Sequence, residues 1–434
     1  MRFRDVSLIS YVAHPSLMRK ALPVAPIARF RTSADGQRSH EAISAAPRNG
    51  RNRWVPAGLV ALTSLFLTSC KSKDPQDTFN PEGPAARKIF HLATPVFLIA
   101  IGMGIFVYVL IALCIVKFRR RSDDQIPKQV HGNTAMEIGW TAAPALLLAV
   151  VGVFSVGAVF DQASEPKNPY DITAAGHQWW WEFHYPQVGQ ELLSPTLQTV
   201  DNPLDVDAAK AEGREPKKLA NYLVESSPVI VNANELHIPA GRNIRIALTS
   251  NDVIHNFWIP RLAGKIYAIP GRLNHLTINS DANDAGKTLY AQCAEFCGTS
   301  HANMRFKVHI DSPADFETWL KGQAGPAAVP TGDPTTDLVA KGHELFLGGG
   351  GCTACHYTDS SKVNDVGIVG KIGPNLTHVG SRTHFAGAIA ELTDANLKAW
   401  LRNPQAFKPG SRMVVRKFSE DEVEALVAYI RSLK

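Results

Sequence analysis

The chain has 434 residues, 45% hydrophobic and 19% charged, a balance that excludes a disordered or collagen-like polymer and a length that suits two or three domains. Its net charge of +6 suggests nucleic-acid binding, but residues 1–69 alone carry +7 and the other 365 residues sum to −1, so the basic excess is a leader and no nucleic acid is expected as a partner. Six cysteines are too few for a disulfide framework, and four of them stand in two close pairs, Cys293/Cys297 and Cys352/Cys355, the spacing of ligands and attachment points.

Residues 1–69 read as a leader and signal peptide, with no fold expected over the first 47. The apolar run 54–69 follows Arg48, Arg51 and Arg53 and ends in Leu67-Thr68-Ser69-Cys70. That ending resembles a bacterial lipobox, which would make Cys70 a lipid-bearing N-terminus; an ordinary signal or a third span with an incidental cysteine are the alternatives. Residues 70–90 read as a short periplasmic segment. The hairpin 91–160 then holds two apolar runs, His91–Val116 and Ile138–Phe160, of 26 and 23 residues, each above the ~20 needed to cross a bilayer. The loop 117–137 between them carries five Lys/Arg, so it should be cytoplasmic, with both ends of the hairpin outside. Membrane lipid is therefore an expected partner. Cys114, inside the first span, reads as a small packing residue. Glu137, at the mouth of the second, is either a solvated interfacial acid or part of a proton path.

From 161 to 311 the pattern shifts to short strands. Ile244, Ile246 and Leu248 alternate, as do Phe306, Val308 and Ile310, with turns at Pro239-Ala240-Gly241 and Pro270-Gly271; this predicts a β-sandwich or barrel, interrupted by a polar insertion at 187–227. Near its end the segment Cys293–Met304 sets two thiols four apart, an imidazole at His301 and a thioether at Met304 on one loop. Soft sulfur donors with imidazole favour copper, and His255, directly after a strand, can supply a second imidazole. A structural Cys₂His₂ zinc site is the competing reading; zinc rarely takes Met and more often has two residues between paired cysteines. His177, His184, His237, His275 and His309 read as packing or surface residues.

At this point the chain resembles cytochrome c oxidase subunit II. The resemblance rests on His177-Gln-Trp-Trp-Trp181, Asp252-Val-Ile-His-Asn-Phe-Trp258, Ala268-Ile-Pro-Gly-Arg-Leu-Asn274 and Cys293–Met304, in that order, and covers about residues 85–310. It implies a cupredoxin fold around a binuclear CuA centre: Cys293 and Cys297 as bridging thiolates, His255 and His301 on one copper each, Met304 on one, and the backbone carbonyl of Glu295 on the other. It further implies Trp179 as the residue where electrons come in, the Glu295 carboxylate at a magnesium site shared with subunit I, and Glu137 at the mouth of a proton channel into subunit I. Tyr267 stands where the family commonly has an acid.

Residues 312–335 turn rich in Pro, Gly and Ala and read as a linker. In 336–434, Cys352-Thr-Ala-Cys355-His356 has the spacing of c-type haem attachment, two thiols for the vinyl groups and an imidazole for the iron. Ser419-Glu-Asp-Glu422 is a capping box, followed by Val423, Leu426, Val427 and Ile430 at helical spacing, and an earlier helix is expected around 394–402. The domain resembles an all-α class I cytochrome c, with Ile372–Leu376 lining the haem and Met413 as distal ligand. Val414-Val415 follows where the family usually has a proline, and His343, His378 and His384 are the alternatives for the sixth position.

Together these readings predict a multidomain chain: a two-helix transmembrane hairpin, an all-β cupredoxin-like domain and an all-α cytochrome c domain. The resemblance implies subunit II of a haem–copper oxidase of the caa type in a bacterial inner membrane, part of a proton-translocating complex. Electrons from a soluble or membrane donor would pass through haem c and CuA to subunit I, with no oxygen chemistry in this chain. The rival readings are the CuA subunit of a nitric oxide reductase and a copper-trafficking protein.

Overall fold

The computed structural model describes residues 75–119, 131–186, 196–201, 206–215, 218–223, 229–358 and 372–434. The expected leader, the lipobox with Cys70, most of the basic loop and part of the 187–227 insertion lie outside them.

Helices α1 (Gly83–Lys117) and α2 (Thr134–Ala163) are each long and apolar enough to cross a membrane. Both extend beyond the expected 91–116 and 138–160. At α1 the extra turns belong to the neighbouring domain: Gly83 takes φ +73° against the Asn279 backbone, Ala86 is buried, and Arg87 Nη2 donates to Asp281 Oδ1 at 2.9 Å. At α2 the side chain of Asn133 caps the helix by accepting from the Met136 amide at 3.2 Å, which starts it at Thr134 and puts Glu137 in the first turn, where the helix dipole favours an anion. Leu98, Phe106, Leu146 and Phe154 all point outward, a surface that suits hydrocarbon rather than water.

The β-domain follows. Its strands are β1 (Tyr170–His177), β2 (Trp180–Pro186), β3 (Thr196–Asp201), β4 (Lys218–Leu223), β5 (Val229–Ala233), β6 (Glu235–Pro239), β7 (Asn243–Ser250), β8 (His255–Trp258), β9 (Lys265–Ala268), β10 (Asn274–Asn279), β11 (Thr288–Cys293) and β12 (Arg305–Asp311). They form two five-stranded sheets, ordered β10-β7-β1-β2-β5 and β6-β12-β11-β8-β9. Pairs β1/β7 and β6/β12 are parallel and the others antiparallel, the mixed pattern of a cupredoxin-like sandwich. Within the described part of the insertion, β3 and β4 pair with each other and the short helix α3 (Val206–Glu212) lies between them.

The alternation in the sequence places the core. Ile244, Ile246 and Leu248 of β7 and Phe306, Val308 and Ile310 of β12 are fully buried. Between the sheets Trp181, Phe183, Phe257 and Phe306 interlock, with Trp181 and Phe257 centroids 5.2 Å apart and Phe257 and Phe306 4.7 Å apart. Each such ring contributes roughly 2–3 kcal/mol of burial. The core thereby holds rigid the ends of β8 and β11, from which His255 and Cys293 project.

The expected linker 312–335 is corrected over its first half, which is helix α4 (Pro313–Gln323). Ser312 caps it by accepting from the Asp315 amide at 3.1 Å, Pro313 opens it, and Phe316 and Leu320 are buried in the sandwich core. Its low overall hydrophobicity hid an amphipathic face only three turns long.

The C-terminal domain contains α5 (Leu338–Leu347), α6 (Asp394–Arg402), α7 (Pro404–Phe407) and α8 (Glu420–Ser432), plus a ribbon of β13 (His384–Phe385) and β14 (Ala390–Glu391). α5 crosses α8 at Gly342, where any Cβ would lie 2.0 Å from the Ala425 carbonyl oxygen. The capping box forms as spaced: the Glu422 amide donates to Ser419 Oγ at 3.3 Å and the Ser419 amide to Glu422 Oε2 at 2.7 Å.

Candidate copper and haem sites

The loop from Cys293 to Met304 joins adjacent antiparallel strands and is pinned at its base, where the Cys293 amide donates to the Met304 carbonyl at 2.9 Å. Closing the loop this way gathers its sulfurs. Cys293 Sγ and Cys297 Sγ lie 3.8 Å apart, Met304 Sδ is 3.8 Å from Cys297 Sγ, and His301 Nδ1 is 3.5 Å from Cys297 Sγ. On the other side His255 Nδ1 is 3.9 Å from Cys293 Sγ, and the Glu295 carbonyl oxygen is 3.3 Å from it. All six sequence-predicted positions converge on one buried spot at the tip of the sandwich.

The donors fit a pair of soft cations. Two thiols this close cannot both ionise unaided: the bond from the Cys297 thiol holds Cys293 down to about 3, and Cys297, facing that thiolate in a buried site, is pushed far above the usual thiol range. Metal charge between the sulfurs removes that conflict and lets both act as thiolates. His255 is already aimed. Its Nε2 pairs with Asp252 Oδ1 at 2.8 Å, which leaves Nδ1 toward the sulfurs, and Gly176 backs the ring so closely that a Cβ there would stand 2.6 Å from His255 Cδ2.

A second group of donors, Glu235, His237 and His309, is less suited to an ion. The two imidazoles stack with centroids 4.5 Å apart and planes 18° apart, so their in-plane lone pairs do not meet at one point. His237 stacks in turn on Trp319, and His177 on Trp180, as packing residues do.

In the C-terminal domain, Cys352, Cys355, His356 and Met413 line one cavity of ≈ 200 Å³ whose other walls include Phe346, Leu376, Trp400 and Leu426. The His356 ring is oriented through its rear nitrogen, Nδ1 lying 2.8 Å from the Pro374 carbonyl oxygen, which directs Nε2 away as a metal donor. Gly373 permits that approach, since a Cβ there would be 2.6 Å from His356 Cε1. An apolar slot with two thiols, an aimed imidazole and a thioether fits a covalent haem. None of His343, His378 and His384 lines it, and His378 Nε2 is 2.8 Å from the Gly325 carbonyl oxygen.

Trp179 joins the two sites. Trp179 lines the cavity of the C-terminal domain, and its Nε1 donates to the Cys297 carbonyl at 3.0 Å beside a parallel bond from Gln178 Nε2 at 2.7 Å. Lys408 Nζ donates to the Trp179 carbonyl at 2.6 Å, and Arg412 stands over the indole at 5.9 Å. Burial lowers the Lys408 ammonium to about 7. Glu137 lies at the far end of the hairpin, on α2, away from both centres in the chain's order of elements.

Asp252, Gln178 and Lys408 received no role from sequence, and Pro374 only a place in the stretch Ile372–Leu376 expected along the haem. Asp252 was the most accessible of them, because a ligating histidine requires an acceptor for its second nitrogen and an acid stands three residues before His255.

Three families match in chain order: the transmembrane domain of cytochrome c oxidase subunit II over residues 78–157, the periplasmic domain of the same subunit over 170–310, and cytochrome c over 339–434. Cytochrome c oxidase subunit 2 of Alkalihalophilus pseudofirmus is 32% identical over 391 residues, spanning 88% of this chain and 97% of the relative. That of Bacillus subtilis is 30% identical over 399 residues, spanning 88% and 98%. Among solved structures, the periplasmic domain of subunit II of cytochrome oxidase from Bradyrhizobium japonicum is 29% identical and covers 36% of this chain and 95% of that one, with a TM-score of 0.25.

Proposed function

Since the chain belongs to the cytochrome c oxidase subunit II family and carries a fused cytochrome c domain, we propose that Cys352, Cys355, His356 and Met413 hold a covalent haem c, and that His255, Cys293, Glu295, Cys297, His301 and Met304 hold a binuclear CuA centre. As subunit II of an oxidase, the chain delivers electrons and leaves oxygen chemistry to subunit I. Bound at these sites, the two groups supply one-electron transfer. The protein's part is to hold donors still: Asp252 and Pro374 fix the two imidazoles, and the sandwich core fixes the strand ends that carry the sulfurs.

The observation that carries this reading is Trp179, which borders the haem-side cavity and whose indole bonds to the carbonyl of Cys297. Tethering supports it further, because a linked donor domain acts at high effective concentration. The finer assignments are a soluble or membrane electron donor at the cytochrome domain, Glu137 at the mouth of a proton path, magnesium at the Glu295 carboxylate shared with subunit I, and lipid around α1 and α2 in a bacterial inner membrane. The family resemblance supports the Glu137 and magnesium roles, and the apolar outward faces of the hairpin support the lipid.

Electron paramagnetic resonance and optical spectra of the oxidase complex carrying this chain test the reading. A mixed-valence two-copper signal beside a low-spin c-type haem is expected. Zinc, or isolated mononuclear copper, in a well-folded complex would overturn it.

A further inference from the structure

The two extramembrane domains meet through a set of polar contacts centred on one buried acid. Glu235, at the start of β6, is 2% exposed, and its Oε1 accepts three bonds from the cytochrome domain. The donors are the Thr383 amide at 2.8 Å, Thr383 Oγ1 at 2.5 Å and the His384 amide at 2.8 Å. Beside it Arg382, 8% exposed, donates from Nε to Asn232 Oδ1 at 2.9 Å and from Nη2 to the Asn375 carbonyl at 2.6 Å. A buried carboxylate is costly unless its acceptor sites are filled, so these three bonds favour the docked arrangement.

Shape makes the same point at the copper loop. Gly387 and Gly410 both have positive φ, and a Cβ on either would lie within 3 Å of the loop, 2.5 Å from the Asn303 carbonyl oxygen and 2.9 Å from Thr299 Cβ. The Arg305 amide donates to the Gly387 carbonyl at 3.1 Å. With Lys408 and Arg412 on Trp179 and Gln178, the face of the copper domain around Trp179 is covered by the chain's own cytochrome domain.

We propose that Glu235 is a latch that docks the cytochrome domain on the copper-loop face and so holds that domain in place against Trp179. This rests on the functional reading above. Glu235 touches neither centre; it is a positioning residue, acting through Thr383 and His384.

The test uses the intact oxidase complex with Glu235→Ala and, from the other side of the contact, Thr383→Val. Two quantities are read: hydrogen exchange at the Thr383 and His384 amides, and the rate of haem c to copper electron transfer after photoreduction of the haem. Loss of a bond to a charged acceptor should raise exchange at those two amides and slow the transfer by about tenfold each, with the exchange of 293–304 unchanged. Unchanged exchange, or faster exchange with an unchanged transfer rate, overturns the latch. Should Glu235→Ala fail to fold, Thr383→Val decides by the same readings. The amide measurement involves no redox centre, so a wild type without the mixed-valence signal would overturn the functional reading while the exchange data still decide the docking.

Discussion

Trp179 Nε1 donates to the Cys297 carbonyl at 3.0 Å, and the same residue forms part of the wall of the cavity that His356 and Met413 also line. One residue thus borders both candidate redox centres. Trp179→Phe keeps an aromatic ring there and removes the N–H donor. The expected result is unchanged copper and haem spectra with haem c to copper transfer slowed by about tenfold, since small losses of alignment are costly in a positioned reaction. Flash-photolysis kinetics give the answer, and a wild-type rate in the variant would remove Trp179 from the path.

Met304 is fully buried with its Sδ 3.8 Å from Cys297 Sγ. Met304→Leu conserves volume, so the cost in stability should stay below about 1.5 kcal/mol. The thioether, however, is gone. If it is a copper ligand, the mixed-valence hyperfine pattern and the reduction potential must both change while thermal unfolding barely moves. An unaltered electron paramagnetic resonance spectrum would assign Met304 to packing alone.

What could be read from the chain was whatever lies close along it. Cys293, Cys297, His301 and Met304 share one loop, and Cys352, Cys355 and His356 share one turn, so spacing alone pointed to these candidate donors. His255 was identifiable because it directly follows an alternating strand. The helix Pro313–Gln323 was not, because only Phe316, Leu320 and Gln323 of its 11 residues are buried and its composition matches a linker. The Glu235–Thr383 contact was beyond reach for a different reason. The partners stand 148 residues apart, and neither residue type implies burial until the two domains dock.

Two glycines make specific predictions about the imidazoles. A Cβ at Gly176 would stand 2.6 Å from His255 Cδ2, and one at Gly373 2.6 Å from His356 Cε1. Gly176→Ala should therefore perturb the copper signal and leave the haem spectrum intact, and Gly373→Ala should do the reverse, each costing about 1–3 kcal/mol through overpacking. Optical spectra of the two variants separate the effects. A matched loss of both centres in either variant would mean global unfolding rather than displacement of one ring.

His309 gives the latch region a defined response to acid. Burial and the adjacent His237 lower its imidazole from 6.5 to about 4, against the opposing pull of Glu235 and Asp311. Thr288 Oγ1 sits 3.2 Å from its Nδ1, while Nε2 lies 3.7 Å from Glu235 Oε2. His384 also adds to the local positive potential. Between the unfolded value of 6.5 and about 4 the unfolded chain binds the extra proton and the folded chain does not. Stability is therefore fully present above pH 6.5 and lost as the pH falls toward 4, on the order of 2–3 kcal/mol from this group. Replacing the imidazole by an amide, His309→Gln, should flatten that part of the profile. The check is the pH dependence of unfolding, followed together with exchange at the Thr383 and His384 amides. Equal slopes in wild type and variant between pH 4 and 6.5 would show that another group sets the acid limit of this interface.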